Sequence, residues 1–97
     1  MARITDGNNT NIVGNNIKRF RLEKDLSQQQ LSDRLETLAI YVCRGSISRI
    51  EDKKRTVTDI ELKGFAEILG VTITELFDDY TETKEKYSNH TKSLLKF

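Results

Sequence analysis

The chain is built from short apolar stripes separated by polar breaks. Ile12, Val13, Ile17 and Phe20 share one helical face, while Lys18, Arg19, Arg21 and Lys24 occupy the others, which predicts an amphipathic helix ending near Asp25. Ser27 then opens a second helix. With Gln30 three positions on it forms a capping box, in which the Ser hydroxyl accepts the Gln30 amide and the Gln30 side chain reaches back. Leu31, Leu35 and Leu38 give this helix a narrow apolar stripe that carries it to Leu38 or Ala39. Ile40-Tyr41-Val42-Cys43 is a short apolar run. With no partner strand nearby in the sequence, it reads as a buried connector. A third helix from Arg44 to about Asp52 points Ile47 and Ile50 inward and Ser46, Ser48 and Arg49 outward. It is too short to persist alone, so packing must hold it.

A basic loop, Lys53 to Val57, precedes a second capping box at Thr58 and Glu61. The helix that follows has Ile60, Leu62, Phe65, Ala66 and Leu69 as its apolar side. Gly64 inside it costs about 1 kcal/mol relative to Ala where exposed. Gly70 stands where a left-handed C-terminal cap is expected. Thr72 and Glu75 form a third box, opening a short fifth helix with Ile73, Leu76 and Phe77. Residues 1–11 are Asn-, Gly- and Thr-rich and read as a flexible arm. Residues 79–97 are a polar tail ending in Leu94-Leu95-Lys96-Phe97. No repeat and no hairpin signal is present. The expectation is an all-α domain of five short helices over residues 12–78, between an arm and a tail.

At 97 residues the chain is the size of one domain, with no room for separate cofactor and substrate domains. A fold this small buries about 60–65% of the surface its unfolded chain exposes. Its 36% hydrophobic content is above that of a disordered chain, and no apolar run is long enough to span a membrane. The N-terminus lacks the basic start and apolar stretch of a signal peptide. The single cysteine, Cys43, has no internal disulfide partner and lies far from the single histidine, His90, which leaves no metal-ligand set. Asp78-Asp79 has no third ligand spaced to help. A reducing cytoplasm is the expected setting. No Ser/His/Asp set, phosphate loop or pair of acids in a cleft suggests an enzyme, a cofactor or a small-molecule ligand. The net charge of +1 is uninformative, but five basic and two acidic residues fall between Arg44 and Arg55.

Four segments together carry a family likeness: Ile17-Lys18-Arg19-Phe20-Arg21, Leu26-Ser27-Gln28-Gln29-Gln30-Leu31-Ser32, Gly45-Ser46-Ile47-Ser48-Arg49-Ile50-Glu51, and Leu62 with Phe65-Ala66-Glu67-Ile68-Leu69-Gly70-Val71. In this order they resemble the phage-repressor (Cro/C1, XRE) helix-turn-helix family over roughly two-thirds of the chain. The resemblance implies a five-helix lambda-repressor-like DNA-binding domain. It also implies a transcriptional regulator that binds pseudo-palindromic double-stranded DNA as a homodimer, as repressors of this type do. One departure is visible. The span from Leu31 to Glu51 is several residues longer than the family's tight Gly turn allows, with Leu38 to Cys43 carrying the excess. The connection between helices 2 and 3 is therefore elongated, by a longer helix or a bulged turn. The outward face of helix 3 is the same in either case.

A short helix at a convex corner can enter the major groove, about 12 Å wide, with its first turn against the base edges. That assigns base contacts to Arg44, Gly45, Ser46 and Arg49. The planar arginine fork matches guanine O6 and N7, and Gly45 permits close backbone approach. Gln28, at the N-terminus of helix 2, sits where an anion is favoured. The resemblance implies that it clamps a phosphate and braces Arg44. Lys53, Lys54 and Arg55 would flank the groove and hold phosphates. The resemblance also pairs Glu51 with Arg21, a structural ion pair that removes a carboxylate from the DNA side.

Blander readings stand beside these. The arginines could be a solvated helix face, the basic triplet a soluble loop, and Gln28 only a helix-start residue. Leu31, Leu35, Leu38, Ile47, Ile50, Phe65 and Leu69 are core positions. Cys43 is a redox sensor beside the recognition helix or, more commonly, a small buried apolar residue. His90 reads as solvated. Leu76, Phe77, Tyr80, Tyr87, Leu94, Leu95 and Phe97 could serve a dimer or another protein partner, or the tail could simply fray. Two rival functions remain open: an antitoxin-like or adaptor module whose main partner is a protein, and an accessory subunit of an enzyme.

Overall fold

Side chains set where the helices of this chain begin. The structure, a computed structural model, describes residues 9–78. Five helices follow one another: α1 (Gly14–Glu23), α2 (Gln28–Glu36), α3 (Arg44–Glu51), α4 (Asp59–Leu69) and α5 (Ile73–Phe77). All three capping boxes form, with Ser27, Thr58 and Thr72 each accepting the amide three residues on while Gln30, Glu61 and Glu75 bond back. Ahead of α1, Asn11 Oδ1 accepts the amides of Val13 at 3.1 Å and Gly14 at 2.8 Å, satisfying donors that the helix start leaves open.

Four helix ends share one design. Asp25, Ala39, Lys53 and Gly70 each adopt positive φ. The residue after each donates its amide to a carbonyl five positions back: Leu26 to Arg21, Ile40 to Leu35, Lys54 to Arg49 and Val71 to Ala66. Only α4 ends on the glycine such a turn favours. The other three accept a left-handed conformation that costs a non-glycine residue about 1–2 kcal/mol. They are held there by the closing bonds and by the packing of the residue that follows.

The elongated connection divides its extra length in two. The α-helix stops at Glu36, and one tighter turn follows, with Thr37, Leu38 and Ala39 donating to Arg34, Leu35 and Glu36. The chain then runs from Ile40 to Cys43 with no helical structure. Ile40 and Val42 turn inward, whereas Tyr41 and Cys43 are exposed, so the connector is buried on one side only. Gly64 makes room for it: a Cβ there would stand 2.5 Å from Ile40 Cδ1 and 3.1 Å from Leu35 Cδ2. This glycine is buried, and its absent side chain is what seats the connector on α4.

Helix α3 packs on α1 and α2, and α4 on α1, α2 and α5, around a common core. Ile17, Leu31, Leu35, Ile47, Ile50, Phe65, Leu69 and Leu76 are wholly buried in it. Several apolar residues fall elsewhere than the stripe predicts. Ile12 precedes the first helical residue and is exposed, and Ile60, in the first turn of α4, faces solvent. Leu38 is only partly buried and lies outside the core, because the tighter turn that carries it rotates it off the α2 stripe. On α5 only Leu76 is buried, and Ile73 and Phe77 remain partly open.

Two asparagines fix the ends of the domain. Asn11 Nδ2 donates to the carbonyls of Ile50 (3.1 Å) and Arg55 (2.8 Å), and Thr10 N to that of Lys53, so residues 10 and 11 are anchored rather than part of a free arm. Residues 1–8 and 79–97 lie outside the described residues. Buried Asn16 donates from Nδ2 to the carbonyls of Leu76 and Asp78, tying the end of α5 to α1.

At Gly14, α1 comes close to the end of α3. A Cβ on Gly14 would collide with the Ile50 carbonyl oxygen and stand 3.1–3.2 Å from Asn11 Oδ1 and the Glu51 carbonyl oxygen. Helix propensity alone favours Ala over Gly by about 1 kcal/mol. Collision with backbone atoms that cannot turn aside outweighs it, as overpacking typically costs about 1–3 kcal/mol. Gly14→Ala is therefore expected to lower the urea midpoint with an unchanged slope, which equilibrium denaturation followed by circular dichroism measures.

Candidate nucleic-acid interface

Ile47 and Ile50 anchor α3 from below and are fully buried. Its other side consequently turns outward, leaving Arg44, Gly45 and Arg49 exposed and Ser46 and Ser48 half-buried. At about 1.5 Å per residue this eight-residue helix is short enough to lie within a major groove. Ser46 organises its surface. Arg49 Nη2 donates to Ser46 Oγ at 3.3 Å, and Cys43 Sγ donates to the same oxygen at 3.5 Å. Cys43 is the N-cap of α3 and is exposed, not the small buried residue its type suggested. When the thiol ionises the Ser46 hydroxyl can turn to donate to it, and this hydrogen bond, followed by that of the Ser46 backbone, holds the thiol below its ordinary pKa.

The structure brings Arg21 and Glu51 together. Arg21 Nε donates to Glu51 Oε2 at 2.6 Å and Nη2 to Oε1 at 3.0 Å, and both side chains are almost fully buried. Arg21 Nη1 donates to the Leu26 carbonyl at 2.7 Å. Gln28 Nε2 completes the cluster with a 3.0 Å bond to Glu51 Oε1. Gln28 therefore braces Glu51, where the resemblance had it bracing Arg44. A buried carboxylate has lone pairs beyond those one guanidinium can fill, and Gln28, at the start of α2, supplies the missing donor.

The basic loop is less uniform than its composition. Arg55 grips Glu61 in a fork, Nη1 to Oε1 at 3.0 Å and Nη2 to Oε2 at 3.1 Å, and also donates to the Thr56 carbonyl. Glu61 is the acid that caps α4, so one carboxylate serves both the helix start and the loop. Among the described residues, neither the Arg44 nor the Lys54 side chain has an ion-pair or hydrogen-bond partner, and Lys54 is exposed. With Glu51 and Glu61 neutralised by their arginines, Arg44, Arg49, Lys53 and Lys54 stand against Asp52 in this stretch.

The Arg55 fork, more than any other contact, lowers the Glu61 pKa, overcoming the opposing effect of burial. The same bond raises that of Arg55. Since the carboxyl titrates lower when folded than when unfolded, its contribution is complete above the ordinary glutamate pKa of about 4.3 and is lost as pH falls through the folded value. The stability difference between the native protein and Glu61→Gln is expected to be largest near neutrality and to shrink below pH about 4. Urea titrations across that range measure it.

Leu76 is buried and so withdrawn from any partner surface, whereas Ile73 and Phe77 are accessible. Tyr80, Tyr87, His90, Leu94, Leu95 and Phe97, with Asp79, lie outside the described residues. Among the described residues no helix is long and apolar enough to cross a membrane, and no group of three potential ligands could hold a metal. Asn11 and Asn16 were not singled out from the sequence. Asn11 carried a usable signal, a cap-type residue just ahead of an apolar run.

A short helix seated across α2, with its cationic face turned away from the core, is the helix-turn-helix arrangement of a DNA-binding protein. The comparison with protein families agrees: residues 17–76 match the helix-turn-helix family, and the chain belongs to it, in its phage-repressor (XRE) branch. It is 37% identical over 67 residues to the control protein C.MunI of a Mycoplasma species, an alignment covering 68% of this chain and 84% of the relative. No solved structure matches it. The chain is thus a DNA-binding transcription regulator.

Proposed function

We propose that this regulator is a sequence-specific repressor that binds pseudo-palindromic DNA as a homodimer, with α3 of each protomer in the major groove. The observation that carries this reading is the outward face of α3. Arg44, Gly45 and Arg49 are exposed on a helix whose other side is locked by Ile47 and Ile50. In this arrangement Arg44 and Arg49 meet guanine edges, Ser46 aligns Arg49, and Gly45 lets the backbone approach. Lys53 and Lys54 hold phosphates on one flank. Gln28 presents the N-terminus of α2 to another phosphate, and Arg55, already gripped by Glu61, adds partial positive charge. Ile73 and Phe77 on α5 offer apolar surface to a second protomer. The relative's name, a control protein, supports a role in controlling gene expression.

The test is fluorescence anisotropy with the duplex upstream of the gene beside a scrambled duplex, over a range of salt. The expected result is a preference of at least about 10³ for the upstream duplex, with a steep fall of log affinity against log salt. Equal, weak binding to both duplexes would sink the sequence-reading role and turn attention to a protein partner.

A further inference from the structure

The elongated connection between α2 and α3 is a seated element. It leaves the last turn of α2 through Ala39, at φ 61°. Ile40 then fills the space over Gly64, and Val42 is 3% exposed. Between these two anchors Tyr41 is 74% exposed. Side chains alternate along an extended segment, so Tyr41 shares its outer side with Cys43, the N-cap of α3. The backbone that carries this aromatic side chain is thereby held at the end of α3 whose first turn is proposed to meet DNA. Because the residues on either side of it are packed, little backbone freedom is left to lose on binding.

Ser32, Glu36, Tyr41, Val42, Cys43 and Ser46 line an open concavity of about 340 Å³. Ser46 belongs both to this concavity and to the outer face of α3, so the two surfaces are continuous. The chemistry of the lining selects among the parts of a DNA duplex. Glu36 brings a carboxylate and no Lys or Arg lines the wall, so a phosphate is disfavoured. The exposed Tyr41 ring and the Cys43 sulfur suit an uncharged apolar group. Among the groups that the four bases present in the major groove, the thymine C5-methyl is the apolar one.

We propose that this concavity receives the C5-methyl group of a thymine beside the bases met by Arg44 and Arg49, which makes Tyr41 a further specificity-determining residue supplied by the elongated connection. The assignment rests on the DNA-reading face proposed above.

Deoxyuridine in place of thymine removes the methyl group and leaves base pairing intact. The native protein first selects duplexes from a randomised pool, and each thymine of the selected site is then replaced singly. At one thymine per half-site deoxyuridine is expected to weaken binding about three- to fivefold, the weight of one buried methyl group. At that position Tyr41→Ala binds both duplexes equally, whereas Tyr41→Phe keeps the difference. The exposed position of Tyr41 leaves thermal unfolding unchanged in both variants. Insensitivity at every thymine, or a methyl effect that survives in Tyr41→Ala, overturns the assignment while the selected sequence upholds the DNA-reading face. Failure to select any sequence overturns both.

Discussion

Glu51→Ala is expected to destabilise the domain by about 3–5 kcal/mol, because it leaves a buried arginine without its counter-charge. The side chains of Arg21 and Glu51 are 8% and 2% exposed, so water cannot take the carboxylate's place. Arg21 would keep only the Leu26 carbonyl, and Gln28 would lose its acceptor. Domains of this kind have about 5–15 kcal/mol in total, and small ones sit at the lower end. The melting temperature should fall steeply, by about 4–8 °C for each kcal/mol. The pair joins α1 to α3, so its loss also loosens the presentation of the recognition face. Arg21→Met combined with Glu51→Leu separates the two contributions. With both charges gone no buried charge is orphaned, although the Leu26 carbonyl and Gln28 lose their bonds, so stability should recover a large part of the loss. Thermal and urea unfolding of the three proteins measure this. A single-variant loss under about 1 kcal/mol would mean that solvent reaches the pair.

Local signals were the legible part of the fold. The three capping boxes were readable because a box is a contract between residues three apart, fulfilled whatever the rest of the chain does. The helix ends near Asp25, Ala39 and Lys53 follow from the pattern to within a residue or two, but the positive φ that closes them does not. A non-glycine residue takes positive φ there because the next residue must dock, and docking is a tertiary fact. Gly64 looked like a weakness of α4 until Ile40 was seen lying over it. Periodicity placed Ile47 and Ile50 inward, and so turned Arg44 and Arg49 outward. The same periodicity misplaced Ile12 and Ile60, which lie where a stripe runs past the packed part of its helix. The excess length between α2 and α3 could be counted, but its division into a tight turn and an extended run could not. Arg21 with Glu51 came from family resemblance. The partners of Gln28 and Arg55 depend on which acids the fold brings near, and spacing along the chain does not carry that information.

Arg49→Ala is expected to remove about 1–3 kcal/mol of discrimination, roughly a 5- to 150-fold loss of preference for the selected duplex over a scrambled one. The side chain is exposed and contributes nothing to the core, so thermal unfolding should be unaltered. Its position is defined in advance by the Ser46 bond, which limits the freedom it gives up on meeting a base. Charge and shape can be told apart at this position. Arg49→Lys keeps the charge and loses the planar fork, so it should bind with the native salt slope yet discriminate like Arg49→Ala. Lys54→Ala should behave in the opposite way, weakening selected and scrambled duplexes alike and reducing the salt slope by about one. Anisotropy titrations of the three variants on both duplexes, at several salt concentrations, read these differences directly. If Arg49→Ala weakened both duplexes equally, Arg49 would be a phosphate holder. The reading of sequence would then fall to Arg44 and to the residues carried by the connection before it.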